Sequence, residues 1–326
     1  MAKVALLIDA DLIAYRCAAA SETRSIKVTH KKSGDIKVFS TRTEFKKYLK
    51  EKNVEYIQDR FEIEDVQTPS QITIMYNVID NIMKKLQDFT FAEVTEVYLG
   101  GGRNFRHELD LPSPYKNNRQ EVIKPLYLKQ ARQYLINKYN AKLCTGEEAD
   151  DVVTYRAYYW KDKGFNSIIS SVDKDAYQSS GCYILDWTKE DWELEEIDEV
   201  GHLYKDKNKV KGNGLKFLAV QVLGGDEADT YWGYELLPPR SYGPTAAAKV
   251  FNDCNTSKDV LEALIAEFKR LYPSPITYTT WNGKTITKSY LELLQMYWKC
   301  ACMKRTEDDD LDFIKFAKQY GVEINE

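Results

Sequence analysis

The apolar positions of this chain fall into two rhythms. Val4 to Ile8 is a continuous apolar run, as in a strand buried on both faces, and Glu96-Val-Tyr-Leu99, Asn166 to Val172 and Tyr183-Ile-Leu185 repeat the pattern. Helical periodicity separates them. It covers Leu12 to Ala20, then a stretch after Thr68-Pro69 whose Ile72, Met75, Tyr76, Ile79, Ile82, Met83 and Leu86 share one face, then Glu121 to Tyr139 and Ala149 to Lys161. Thr68 and Pro69 look like the cap and first position of the second of these helices. Strands alternating with helices predict an α/β fold around a mainly parallel sheet.

Two hairpins interrupt the alternation. Ile-Lys-Val-Thr and Ile-Lys-Val-Phe flank a turn at Ser33-Gly34-Asp35, and Asn282-Gly283 joins two short β-rich segments. From about Lys216 the pattern becomes helical: Leu215 to Leu223, a short helix through Lys249, Val250 and Phe251, then about Ser289 to Met303 and Asp309 to Tyr320. The stretch from Trp187 to Val200 is acidic and reads as irregular or edge structure.

Composition changes this picture little. Of 326 residues, 43% are hydrophobic and 29% charged, as in an ordinary soluble protein. The six cysteines, at 17, 144, 182, 254, 300 and 302, have no zinc spacing and read as buried thiols of a reducing compartment. Asp9 and Asp11 follow the first apolar run too closely for a secretory signal, and no run is long enough to span a membrane. The expectation is a cytoplasmic protein, in the host cytoplasm if phage-encoded. Net charge is −4, which argues on average against a nucleic-acid partner. The charge is segregated, however: between Arg103 and Lys142 there are nine Lys or Arg and three Asp or Glu.

The acids gather in short blocks. Thr145-Gly-Glu-Glu-Ala-Asp-Asp151 opens a helix, so Glu147, Glu148, Asp150 and Asp151 sit at its positive end. Ser171-Val-Asp-Lys-Asp175 ends a strand, on which Asp173 and Asp175 would point the same way. Asp9 and Asp11 close the first strand, where open α/β sheets place their ligands. Asp226 and Asp229 lie in Gly224-Gly-Asp-Glu-Ala-Asp229. Capping explains some of these acids but not all. Carboxylates so gathered repel unless a cation neutralises them, and oxygen donors suit Mg²⁺ or Mn²⁺. The glycines at 100–102 allow a close backbone approach or a hinge, without the Gly-Lys-Ser/Thr of a P-loop. Cations interleaved with Tyr115, Tyr127 and Tyr134 suit phosphates and base faces. The glycine-containing turn around 233–247 could hold a phosphate on backbone N–H groups.

Taken in order, Asp9-x-Asp11, Tyr-Lys-x-x-Arg (115–119), Glu-Ala-Asp-Asp (148–151), Asp-Lys-Asp (173–175) and Gly-Asp-x-x-Asp (225–229) resemble the flap endonuclease / 5′→3′ exonuclease family, most closely its bacteriophage branch. The resemblance runs from about 4 to 252. It implies a PIN-like (resolvase-like) α/β nuclease domain over 1–212 with a helical arch at about 103–142. Over 213–326 it implies a helical DNA-binding region with a helix–three-turn–helix, followed by the C-terminal hairpin and helices. It implies two Mg²⁺ ions, with Mn²⁺ able to substitute: Asp9, Glu148 and Asp150 on the first, Asp173 between them, Asp175, Asp226 and Asp229 on the second, and Asp151 in support. Lys116 would contact the scissile phosphate, with Arg119 as its electrostatic partner and Tyr115 as a base-stacking surface. Arg103, Arg106, Lys124, Lys129, Arg132, Gly243, Thr245 and Lys249 would follow the DNA.

Two positions depart from the family pattern. Ser241 replaces the first glycine of the turn, and Gly101 stands where the family has an acid after its second strand, which leaves the first ion a carboxylate short or with water instead. The implied substrate is DNA with a 5′ end or 5′ flap beside duplex, with an RNA–DNA hybrid as a further one, cut by a monomer that needs no membrane. The alternatives are a PIN-type ribonuclease and a catalytically weakened DNA-binding homologue.

Overall fold

The computed structural model describes residues 3–119, 123–237 and 242–324. In chain order, β1 (Val4–Asp9) runs into α1 (Asp11–Ala19), followed by β2 (Glu22–His30), β3 (Ile36–Phe39), α2 (Arg42–Glu51), β4 (Phe61–Pro69) and α3 (Ile72–Thr90). Next come β5 (Val94–Asn104), 3-10 turns at Phe105–Glu108 and Asn117–Arg119, α4 (Leu128–Tyr139), β6 (Lys142–Gly146), α5 (Ala149–Asp162) and β7 (Asn166–Ser170). A 3-10 turn at Lys174–Gln178 leads to β8 (Tyr183–Leu185), β9 (Leu194–Glu196) and the hairpin β10 (Leu203–Asp206)–β11 (Lys209–Gly212). The remainder is α6 (Gly214–Gly224), α7 (Pro244–Phe251), α8 (Ser257–Leu271), the hairpin β12 (Ile276–Thr279)–β13 (Thr285–Lys288), α9 (Tyr290–Ala301) and α10 (Phe313–Gln319).

Contacts divide the chain into two compact units, one of residues 1–10, 87–122 and 140–326, the other of 11–86 and 123–139. The first holds a six-stranded sheet in the order β6-β5-β1-β7-β8-β9, parallel except for β9. Ala5 to Ile8 are wholly buried at its centre, as a continuous apolar run requires. Strand order moves one way from β1 through β5 to β6, then reverses to β7. The ends of β1 and β7 therefore flank a topological switch point, where such sheets open a crevice. Val152, Val153 and Ala157 of α5 pack with Ala5, Leu7 and Ile169. The C-terminal helices build a second core in which Leu111 and Tyr115 join Leu218, Phe251, Leu264 and Trp298. Because that core draws on the 111–115 segment, the compact division does not follow a boundary at 212.

The second unit carries an antiparallel sheet, β3-β2-β4, with α2 on one face. The hairpin read around 33–35 is its first half, and α2 and β4 complete it. Pro69 pairs with Glu22 at the end of β4 instead of opening a helix; an edge strand tolerates its missing N–H, and α3 starts at Ile72. The helix expected from Glu121 begins only at Leu128, because Pro125 disfavours helical backbone at the residue before it; residues 120–122 lie outside the described part. Tyr127 and Tyr134, read as base faces, are engaged within this unit. Tyr127 donates to the Ser70 carbonyl at 3.1 Å, and the Tyr134 hydroxyl donates to Asp80 at 3.0 Å.

Candidate metal centre

Each acid is placed by a local rule. Asp9 ends β1. Glu148 is the N-cap of α5, with Asp150 and Asp151 in its first turn, and the Glu148 N–H donates to Asp151 at 3.3 Å. The strand expected through 172 stops at Ser170, and Asp173 instead caps the following 3-10 turn, accepting from the Asp175 N–H at 3.1 Å. Capping, not strand alternation, thus relates Asp173 to Asp175. After α6, Gly225 turns with φ +78° and the Asp226 N–H donates to the Tyr231 carbonyl at 2.8 Å, leaving Asp226 and Asp229 on a tight loop.

These segments meet. Asp175, Asp226 and Asp229 are buried, and each offers an oxygen within 4.8 Å of the others. Burial, then the charges of Asp9, Asp173 and Glu148, push the Asp150 carboxyl well above its ordinary range. Burial and then Asp173 raise Asp175 to about 7, against the opposing pull of Lys174. Burial also pushes Glu148 upward, but the charges of Arg106 and Lys116 outweigh it and hold it below the usual carboxylate range. Carboxylates gathered and buried in this way need positive charge beside them. An all-oxygen donor set fits a hard divalent cation.

The nearest cations are the chain's own. Lys116 Nζ lies 2.5 Å from Glu148 Oε1 and 3.6 Å from Asp229 Oδ1. Lys174 Nζ pairs with Asp226 and lies 3.8 Å from Asp175. Lys116 adopts φ +54°, an uncommon backbone for a non-glycine residue. The 114–118 segment is laced to the 226–230 loop: the Lys116 N–H donates to the Asp229 carbonyl at 2.9 Å, Asn118 to the Glu227 carbonyl at 2.9 Å, and Thr230 to the Pro114 carbonyl at 2.8 Å. Arg119 ends the 3-10 turn that follows; its side chain lies outside the described part.

Several expectations change here. Arg106, read as a DNA contact, is fully buried. Its guanidinium makes a two-pronged pair with Asp151 at 2.5 and 2.9 Å and donates to the Cys300 and Cys302 carbonyls. Asp151 also accepts from the Lys304 N–H at 3.2 Å, so both of its oxygens are engaged by the protein itself. Tyr115, read as a stacking surface, is 4% exposed and donates to Asp229 at 2.8 Å. Gly101 cannot be the place of a missing acid: a Cβ there would sit 1.6 Å from the Cys144 carbonyl oxygen on β6. Arg103 is exposed and pairs with Glu108 at 2.8 Å. Thr245 and Lys249 are exposed on α7, and Gly243 caps that helix with extended backbone. Lys124, Lys129 and Arg132 belong to the second unit; the first two are exposed, while Arg132 pairs with Asp11.

Sequence reasoning missed three residues. Asn104, buried at the end of β5, donates to Glu148 at 2.8 Å. Gln221 donates to Asp175 from α6, and Lys174 holds Asp226. Two had legible signals: Gln221 is the lone amide on an apolar helix, and Lys174 stands between two aspartates.

The family model described as 5′-3′ exonuclease, N-terminal resolvase-like domain, matches residues 4–204. The chain belongs to this 5′–3′ exonuclease family. Among solved structures it is similar to a mutant of the bacteriophage T5 5′-exonuclease at 14% identity, covering 98% of both chains with a TM-score of 0.47. It is also similar to the T5 5′-exonuclease with zinc bound, at 19% identity over 57% of this chain and 69% of that one, TM-score 0.44. A third is a T5 flap endonuclease complex with DNA and metal ions, at 15% identity over the same shares, TM-score 0.41. No curated protein matches. Within the 5′–3′ exonuclease family match lie Asp9, Lys116, Glu148, Asp150, Asp173 and Asp175; Asp226 and Asp229 lie beyond it and reach the same site through the fold.

Proposed function

We propose that this chain is a metal-dependent 5′ nuclease that hydrolyses phosphodiesters of DNA near a 5′ end or at a 5′ flap, with RNA–DNA hybrids as the second substrate to test. The observation that carries the reading is the meeting of acids from sequence-distant segments at the sheet's switch point, with Lys116 on both Glu148 and Asp229. Asp175, Asp226 and Asp229 would hold one Mg²⁺, and Asp9, Glu148 and Asp150 the other, with Asp173 between. Mn²⁺ shares the same oxygen chemistry. When bound, such a pair activates a water and stabilises a leaving oxygen.

The protein's own groups bind and orient. Lys116 is held at the acids by its backbone bond to Asp229, and a phosphodiester arriving there exchanges its carboxylate partners for phosphate oxygens. Arg119, which ends the 3-10 turn after Lys116, is the second cation proposed for the phosphate. Tyr115 and Gln221 fix the Asp229 and Asp175 carboxylates by hydrogen bonds, so these need not reorganise when charge develops. Exposed Lys124, Lys129, Thr245 and Lys249 are available to the DNA backbone. The form proposed is a cytoplasmic monomer acting on DNA; no helix among the described residues is long and apolar enough to cross a membrane.

The test is cleavage of a 5′-labelled duplex, a 5′ flap and an RNA–DNA hybrid, with and without Mg²⁺. The Asp173→Asn variant should fold and bind DNA but lose cleavage. Cleavage within tenfold of wild type would remove Asp173 from between the ions. Metal-independent cutting, or cutting of single-stranded RNA alone, would replace the whole reading.

A further inference from the structure

The second unit holds a feature that the nuclease centre does not use. Between α2 and the core face of β3-β2-β4 lies a hollow of about 280 Å³, lined by Phe39, Phe45, Tyr48 and Phe61 among other residues. Lys37, Lys52 and Arg60, with Asp35, also line it. A second hollow, lined by His30, Lys31, Lys32, Asp59 and Arg60, adjoins it through the shared His30 and Arg60. The first compartment thus combines rings with cations, and its neighbour is mainly basic.

Local structure explains how the two come together. Register places Phe61 opposite His30, and Val28 opposite both Lys37 and Ile63, on the face that α2 covers. At this end the unit's small core stays open. The Lys31 N–H donates to the Arg60 carbonyl at 2.9 Å, which ties the β2–β3 turn to the start of β4 and gathers the cations. Lys31, Lys32, Lys52 and Arg60 are exposed, and no ion pair joins them to an acid among the described residues. Their charge is therefore available to an incoming anion.

We propose that this hollow pair is a binding site for single-stranded nucleic acid, taking one base against the half-buried Tyr48 and Phe61 and its neighbouring phosphates on Lys31, Lys32 and Arg60. The aromatic volume is below the ~300–1,000 Å³ of pockets for drug-sized ligands, so it suits one planar ring system and not a whole cofactor. Rings beside cations are how sequence-independent single-strand sites are built. Only the choice of occupant rests on the reading of this chain as a nucleic-acid enzyme. An acidic peptide with an aromatic residue would be the other claimant.

The experiment uses the full chain with a metal chelator present, so that nothing is cut. Binding of fluorescein-labelled oligothymidylate is followed by anisotropy over a range of salt. Combined Lys31→Ala, Lys32→Ala and Arg60→Ala should weaken binding about fivefold or more and flatten the dependence on log salt by about two to three. Tyr48→Ala should weaken it about fivefold with the salt slope unchanged. Lys205→Ala with Lys207→Ala, exposed on the β10–β11 hairpin, should leave it alone. Photocrosslinking of a 4-thiothymidine oligonucleotide to wild type should map to residues 28–61, which decides the matter even if a variant fails to fold. Unchanged affinity in folded variants, or crosslinks only elsewhere, would overturn the proposal. So would an acidic peptide ending in phenylalanine whose binding is lost in the triple variant while oligonucleotide affinity is kept, since that marks a protein partner. Mg²⁺-dependent cleavage by wild type is scored separately, so failure of the nuclease reading leaves this result standing.

Discussion

Lys116 carries a left-handed backbone at the point where its ammonium meets two carboxylates. Strain of this kind persists only where surrounding bonds over-determine it, here those from 114–118 to 226–230. A cation so fixed is suited to charge that develops during reaction. Lys116→Ala should therefore slow single-turnover cleavage by a factor of about 10² or more while changing 5′-flap affinity by only a few-fold. Equal losses in rate and affinity would reduce Lys116 to a phosphate-tracking residue. Arg106 acts differently. Removing it leaves Asp151 charged, wholly buried and without its guanidinium, which typically costs about 3–5 kcal/mol. Arg106→Met should lower the urea midpoint accordingly, and adding Asp151→Leu should recover much of the loss. If Arg106→Met left stability intact and reduced only DNA binding, the buried pair would not be what the residue is for.

Among the elements, β5 decides most about the site. Its glycine run is neither hinge nor phosphate loop but strand, pressed against β6 where the pairing register shifts between Gly100 and Asn104. Only a residue without Cβ fits at Gly101 beside the Cys144 carbonyl. The irregularity delivers Asn104 to Glu148, so the polar group at this strand's end is an amide. Gly101→Asp should then not tighten metal binding. It should separate β5 from β6 and cost about 3 kcal/mol or more, read as a lowered melting temperature or failure to fold. Normal melting together with a Mg²⁺ titration shifted to lower concentration would mean that the strand has room for an acid after all.

For the molecule as a whole, net charge is a poor guide to partners. At −4 it should repel DNA, yet the acids that set the balance include those buried at the candidate metal centre, while Lys124, Lys129, Lys249 and Arg103 are exposed. Binding to duplex with a 5′ flap should weaken steeply with salt, by about 0.9 in log affinity per log salt for each phosphate neutralised, with a total slope of roughly −3 to −5. A nearly flat plot would show that these exposed cations do not face DNA.

What the sequence alone determined follows from local rules. Apolar runs predicted β1, β5, β7 and β8, since a run buried on both faces has no other stable setting; periodicity predicted α1, α5 and α6; and Asn282-Gly283 fixed the β12–β13 turn. The acid blocks were legible because carboxylates crowded at strand ends and helix starts exceed what capping needs. The tertiary structure decided what each polar residue faces. Arg106 and Tyr115 read as surface groups, but a guanidinium or phenol is buried only when distant segments supply partners, here Asp151 with the Cys300–Cys302 carbonyls and Asp229. The same holds for Gly101, whose need for glycine comes from a carbonyl forty-three residues away on another strand. Asp226 and Asp229 join Asp175 only because α6 packs into the core that the 111–115 segment shares. Such contacts leave no trace in periodicity or spacing, because they depend on which segments the folded chain brings side by side.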